Sequence, residues 1–477
     1  MLLLSISVSS TLSSASYKSP EASDSYQARK GDLVLTVLGP EGNPIPGASV
    51  SYTEATRDFL FGLPAQSLDF LWPYIRETKV NYLEVYATWN LTEDPGYVGF
   101  LNYEFTPSGL NNTGFTLSDH CFIWFVADPT AYNLPTSVKS LSYDQLKANM
   151  YNHVYLTVQR FKSIFSWWDI NEPFWPYDDP FHLTSDQWME ILNISVRAIK
   201  TADPKAKIYL NFVPGDYPKW NYYPIQSLKR VVASGLDFDA IGLEWYGTPA
   251  ASPGVPLDAN GYPELTWVSQ KMDEYAEFGK PLILTEVDVS ANAGERAQAD
   301  WLSRMYQMAF AKPYVEGISW STAFDATWLP GAGIFDCKQW RASECLSATH
   351  RLAYYALKNF TTSMFTNGNG TTDTQGRLQF NGFGGNYTIQ ITAPGFETFQ
   401  NVVRIKERSM NQIEVKMRKP SVTTNSTVVR STSVTSKQIS SEVNLFSPWT
   451  ASMVTVSIIA IATVAVVVAI MSKRRHH

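Results

Sequence analysis

Charge is scarce in this sequence. Only 17% of its 477 residues are Asp, Glu, Lys or Arg, below the roughly 25% usual for globular chains. The formal balance is −6, and no basic run interrupts the body, which argues against nucleic acid as a partner. Cysteine is scarcer still. Three cysteines allow one disulfide at most; Cys337 and Cys345 share a loop and are either bonded or free. Cys121 reads as a small buried hydrophobe. No His/Cys spacing suggests a metal site, because the six histidines do not cluster along the chain. What is abundant is aromatic: 15 Trp, 25 Tyr and 25 Phe. Such side chains stack on sugar rings but also fill large cores, so they tilt the reading only slightly towards carbohydrate. The length suits one large domain with accessories.

The two ends differ from the body. Residues 1–30 read as a signal-like leader, MLLLSISVSSTLSSAS followed by polar residues, although the usual basic start is missing. Near the other end, Trp449 to Met471 carries no charge. As a helix it is roughly 34 Å long, enough to span a bilayer. Lys473, Arg474 and Arg475 follow, which predicts a transmembrane helix over 447–471, a cytoplasmic tail over 472–477 and an extracellular body. Residues 420–446 are rich in Ser and Thr, a stalk composition too polar to bury itself. Sequons at Asn90, Asn111, Asn193, Asn359, Asn369, Asn386 and Asn425 permit glycosylation.

Between the ends the hydrophobic period alternates. Strand-like runs occupy 59–65, 80–89, 120–126, 167–173, 207–213, 238–247, 281–289 and 317–324. Helical patterns separate most of them, including 142–162, 185–203, 264–279 and 294–311. Eight strands alternating with helices predict an α/β fold, a (β/α)8 barrel over 56–362. The stretch 97–115, with Pro, Gly and paired Asn, predicts a short or distorted element. β-rich segments flank the barrel at 31–55 and 363–419. Both have the alternation of small sandwich strands, and whether they pack together is left open.

The stretch WWDINEPFWPYDDP (167–180) ends an apolar strand in a carboxylate. In such a barrel catalytic groups come from the C-terminal strand ends, and Glu172 and Glu286 both occupy such ends. Period-two alternation puts Leu282, Leu284, Glu286 and Asp288 on one face, so carboxylates fall where core is expected. A buried, uncompensated carboxylate costs several kcal/mol. A pair of them across a sugar, one ionised and one protonated, gives a reason for that cost. Structural salt bridges are the plain alternative for either residue alone.

These residues carry a family resemblance. From Phe59 to Phe360 the chain resembles glycoside hydrolase family 10, the endo-β-1,4-xylanase family of the retaining (β/α)8 clan. Trp168-Asp169-Ile170-Asn171-Glu172 is similar to that family's acid/base motif, and Thr285-Glu286-Val287-Asp288 to its nucleophile motif. His120 and Trp124 match its His-x-x-x-Trp; Glu84 and Trp89 fit its second strand, and Asn211 its fifth. Trp320 and Trp328 resemble the tryptophans lining its sugar site. The resemblance implies that Glu172 is acid/base and Glu286 nucleophile, with Asn171 bonding the sugar 2-hydroxyl and no metal or cofactor.

Two strands depart from the family pattern. Where the family has Glu-Asn-x-x-Lys-Trp, this chain has Glu84-Val85-Tyr86-Ala87-Thr88-Trp89. Where the family has Gln-x-His, it has Glu244-Trp245-Tyr246, and Tyr246 is expected to bond the nucleophile instead. Taken alone, His120 and each tryptophan read first as packing residues, and Asp178 and Asp179 read as loop caps. The preferred reading is a surface-anchored retaining glycosidase acting on a polysaccharide such as xylan. The competing one is a non-catalytic sugar-binding or adhesion protein on the same barrel.

Overall fold

The computed structural model describes residues 24–65, 68–92, 115–125, 134–176, 179–248, 254–325, 329–341 and 344–420. Residues 1–23 of the leader, most of the expected distorted element, Trp328, Asp178, nearly all of the stalk, the apolar span and the basic tail lie outside the described residues. The rest of the expected leader is folded, Asp24–Arg29 as a 3-10 helix and Lys30 as the start of a strand. Among the described residues no helix is long and apolar enough to cross a membrane.

Two strands precede the barrel, β1 (Lys30–Leu38) and β2 (Ser49–Arg57). The barrel then closes from β3 (Leu60–Pro64), β4 (Tyr82–Tyr86), β5 (Thr116–Ile123) and β6 (Trp167–Asn171). It continues through β7 (Lys207–Phe212), β8 (Ala240–Tyr246), β9 (Leu282–Asp288) and β10 (Val315–Ser319). All eight pair in parallel, and β10 returns to β3. Every residue of β6, β8 and β9 is buried, as expected for parallel strands covered on both faces. Leu60, Tyr82, Trp167, Tyr209, Ala240 and Ile283 form one apolar cluster near the strand starts. Side chains therefore plug the lower barrel, and chemistry is confined to the opposite end.

Local sequence signals fix the surrounding helices. Ser142 and Thr184 each form a capping box with the Gln three residues on, starting helices Tyr143–Phe161 and Ser185–Ala202. Each cap is worth about 1 kcal/mol. The helices Leu265–Ala276 and Glu295–Ala311 also fall within the expected spans. After the barrel come the hairpin β11 (Phe335–Arg341) and β12 (Glu344–His350) and the helix Leu352–Ser363. The Cys337–Cys345 disulfide bridges that hairpin.

Five more strands follow among the described residues: β13 (Asn367–Thr371), β14 (Arg377–Phe383), β15 (Gly385–Thr392), β16 (Phe399–Ile405) and β17 (Met410–Lys416). They do not form a separate module. β1 lies between β14 and β17, and β2 between β13 and β15. The segments before and after the barrel thus share two sheets, with Leu33, Leu35, Val37, Val50, Ile389, Ile391 and Ile405 in the core between them. Arg29 ties this module to the barrel. Its guanidinium donates to the carbonyls of Phe310 (3.0 Å), Lys312 (2.5 Å) and Val315, and it is only 4% exposed.

Candidate active site

The C-terminal strand ends converge on a group of buried carboxyls. Glu172 follows β6 directly. Its amide continues the ladder by donating to Asn211 O (2.8 Å), yet its φ is +47°. A non-glycine residue in the left-handed region just before Pro173 is a costly conformation. It turns the side chain out of the strand rhythm. Trp124 Nε1 donates to Glu172 Oε2 at 2.5 Å. Burial, then the Glu286 and Asp169 carboxylates, push Glu172 up to about 7 against the pull of the Trp124 bond.

Glu286 stands on β9 and is 5% exposed. The Tyr246 hydroxyl donates to its Oε2, and His120 Nε2 lies 3.0 Å from its Oε1. The other imidazole nitrogen, Nδ1, is 3.2 Å from Asp169 Oδ2. Burial opposes a charged imidazole, but its neighbours Cys121, Glu286 and Asp169 carry it well above the usual range.

The alternation expected on β9 is not what places Glu286. Leu282 and Leu284 join the large cluster that also holds the helix side chains, whereas Ile283 belongs to the apolar cluster at the strand starts. Thr285 Oγ1 then donates to Asn211 Oδ1 (2.5 Å). Between Leu243 and Glu244 the β8–β9 register slips, Glu244 pairing with Glu286. The extra residue on β9 lets Thr285 and Glu286 both reach polar partners, the usual effect of a bulge beside a site. A second irregularity lies on β5, between Asp119 and Ile123, where Cys121 has φ +60°. The Cys121 thiol is buried as expected, but beside the polar cluster: Asn171 Nδ2 donates to its Sγ at 3.5 Å.

A network ties the floor together. Asn211 Nδ2 donates to Asn171 Oδ1 (2.7 Å) and to Glu244 Oε1 (2.8 Å). Gly242 makes this possible, since a Cβ there would meet Asn211 Oδ1 at 2.5 Å. Burial, then Glu286 and Glu172, hold Glu244 well above the carboxylate range. Ser319 Oγ donates to Glu84 Oε2 (2.8 Å), and burial raises Glu84 to about 8. Burial also raises Asp288 to about 8 although Ser321 and Thr322 both donate to it.

Several expected residues take other positions. Asn171, expected to face the sugar, has its amide engaged by Asn211 and Cys121. Trp320 is wholly buried and its Nε1 donates to Ala332 O (3.0 Å). Trp89 stacks on His153 with ring centroids 4.2 Å apart. Both are buried in the apolar surroundings of the strand ends. Trp124 keeps some exposure. Asp179 caps its loop as expected, accepting from Phe181 N and Leu183 N (both 2.9 Å). Sequence reasoning quoted Asp169 and Thr285 only as members of motifs and Cys121 only as a buried hydrophobe, with no site role for any of them. For Asp169, a carboxylate inside a fully buried strand was the available signal. A hollow of about 790 Å³ at the opposite, N-terminal end is lined by Lys162, Trp167, Lys207 and Glu316. None of the expected site residues reaches it.

Residues 92–355, more than half the chain, match the sequence profile described as Glycosyl hydrolase family 10. The chain belongs to this family. Among its relatives, the Anti-sigma-I factor RsgI6 of Acetivibrio thermocellus is 24% identical over 397 residues, covering 77% of this chain and 46% of that protein. Endo-1,4-beta-xylanase 1 of Arabidopsis thaliana is 24% identical over 377 residues, 76% of this chain and 36% of that one. The family 10 chain thus spans under half the length of both. The native xylanase 10B structure from Thermotoga maritima aligns with a TM-score of 0.47 at 18% identity, covering 64% of this chain and 95% of that one.

Proposed function

We propose that this family 10 chain is a retaining glycoside hydrolase that cuts within a β-1,4-linked polysaccharide such as xylan. The unequal surroundings of two carboxyls at one barrel mouth carry the reading. Glu286 has a tyrosine hydroxyl and an imidazole on its oxygens, which suits an ionised nucleophile. Glu172 keeps its proton up to about pH 7, which suits a general acid. In the first step Glu286 attacks the anomeric carbon while Glu172 gives its proton to the departing glycosidic oxygen. In the second, Glu172 takes a proton from water, and that water displaces Glu286 from the same carbon. No metal or cofactor enters either step. Relatives named as endo-1,4-beta-xylanases support xylan as the first polymer to try.

A barrel that only bound sugar would gain nothing from a carboxyl protonated near neutrality. A reducing-sugar screen over xylan, mixed-linkage glucan, cellulose and mannan separates the readings. Release of new ends from at least one polymer is expected. Binding to a polymer with no cleavage of any of the four would favour the sugar-binding alternative.

The same proposal puts the catalytic body outside a membrane, held by residues 447–471 with Lys473, Arg474 and Arg475 on the cytoplasmic side. The uncharged length and the basic stop support it. The full chain should need detergent for extraction, and a chain ending at Lys419 should not. Free extraction of the full chain without detergent would count against the anchor.

A further inference from the structure

The fold gathers three donor atoms of different softness. A His120 ring nitrogen, Cys121 Sγ and a Glu286 carboxylate oxygen lie within 4.8 Å of one another, all on buried residues, and Nε2 is the nitrogen 3.0 Å from Glu286 Oε1. Successive residues on a regular strand point to opposite faces. His120 and Cys121 escape that rule because of the irregular β5 pairing and the left-handed φ of Cys121. Neither imidazole nitrogen makes a well-aligned hydrogen bond, although the residue is 1% exposed. Asp169 Oδ2 stands 3.2 Å behind Nδ1, where metal-binding histidines commonly keep a carboxylate. Asn171 supplies an amide donor to Sγ. The ion pairs of Asp169 and Glu286 are both with His120. Among the described residues no Lys or Arg pairs with them, or with Glu84, Glu244 or Asp288.

We infer that the catalytic mouth is also a site for a thiophilic divalent cation, zinc above all, held by His120 Nε2, Cys121 Sγ and Glu286. Imidazole and thiolate favour zinc over calcium or magnesium, which prefer all-oxygen sets. On binding, the Cys121 thiol and the His120 imidazolium each release a proton to solvent, so that a thiolate and a neutral imidazole ligate. Three protein ligands leave a fourth tetrahedral position for water. Glu286 cannot ligate the ion and attack a sugar at once, so zinc and substrate exclude each other. That exclusion rests on the glycosidase reading; the binding does not.

Cobalt(II) titrated into the full-length protein tests the site. The titration runs without reductant, so that the Cys337–Cys345 bond stays closed and Cys121 is the one free thiol. A thiolate-to-cobalt charge-transfer band should grow to one equivalent and vanish on adding zinc. Cys121→Ser should abolish it. Zinc should raise KM for the polymer without changing kcat, reversed by chelator, and Cys121→Ser should relieve that inhibition relative to its own metal-free rate. Cobalt bound without the band, as at His476 and His477, would overturn the site, as would a band that survives Cys121→Ser. If the variant does not fold, cadmium-113 NMR of the unaltered protein decides. One resonance in the range of single-sulfur mixed ligation supports the site, and a purely oxygen or nitrogen environment overturns it. A protein inert on every polymer would sink the glycosidase reading and leave the spectroscopic result to stand by itself.

Discussion

The two cores of this molecule treat a buried carboxyl in opposite ways. In the β module, Glu54 is 4% exposed and lies 2.8 Å from Arg57 Nε, with Thr366 N donating to its other oxygen at 2.9 Å. In the barrel mouth, Glu84 is 1% exposed, accepts one hydrogen bond from Ser319 and leaves Oε1 without a partner. Glu286 and Asp169 stand near enough to raise its pKa further, and Glu244 and Asp288 at the same barrel mouth are buried too. The module compensates its charge on the spot, as a structural pair must. The mouth leaves its carboxyls to share protons and hydroxyl donors, an arrangement found where perturbed groups do chemistry. Apolar side chains fill the remainder of the module core. Burial therefore does not mark the site in this protein; uncompensated burial does.

The comparison breaks first at Glu286. Glu286→Gln should lower kcat on every substrate by roughly five to six orders of magnitude, the scale of removing a covalent nucleophile, with unfolding little changed. A loss below tenfold in steady-state assays would return Glu286 to the structural class. Glu172→Ala comes next. Natural polymers should lose about 10²–10⁴ in rate, while aryl glycosides with good leaving groups are spared and azide rescues the second step. The unaltered enzyme should lose kcat/KM as pH rises through about 7, where Glu172 deprotonates. That limb should be absent in Glu172→Ala on activated substrates. Equal loss on both substrate types would remove Glu172 from the acid role.

Smaller effects test the structural side. Arg29→Met strips charge-assisted bonds from three carbonyls between module and barrel. It should cost about 3 kcal/mol in denaturant unfolding. A midpoint unchanged within error would mean that the two cores are held together elsewhere. A pH-dependent effect is expected at Asp288, whose carboxyl is raised from 3.8 to about 8 in the folded protein. A raised group binds its proton more tightly when folded. Its contribution is thus full below about pH 4 and is lost as pH climbs towards 8. Asp288→Asn should flatten the fall of Tm across that window, gaining most at the alkaline end. A steeper fall in the variant would reverse the assignment.

The barrel was legible because its signal is repetitive. Eight apolar runs bounded by turn residues can hardly be arranged otherwise, and Ser142 and Thr184 announce their helices through capping boxes. The shared module was only half legible. The alternation of β1 and β17 is plain in the chain, but nothing local says that Asp32 pairs with Met410. The site divides in the same way. Glu172 and Glu286 stand out as carboxylates in apolar strands, and the Tyr246 bond to Glu286 follows from its place on β8. The irregularities of β5 and β9 have no composition signal. They decide that Cys121 and Thr285 join the polar cluster and that Leu284 does not. Trp89 and Trp320 stay ambiguous in the sequence because a buried indole and a sugar platform use the same residue.

The central claim is that Glu172 and Glu286 act on opposite sides of one anomeric carbon, Glu286 by direct attack. A retaining pair stands about 5–5.5 Å apart, leaving no space for a water beneath the sugar, whereas an inverting pair needs roughly 6.5–9.5 Å. Proton NMR of the earliest hydrolysis product, taken before mutarotation, reads the outcome directly. The account predicts the β-anomer first, with the α-anomer growing in only later. An α-anomer at the first time point would contradict it and remove the role given to Glu286.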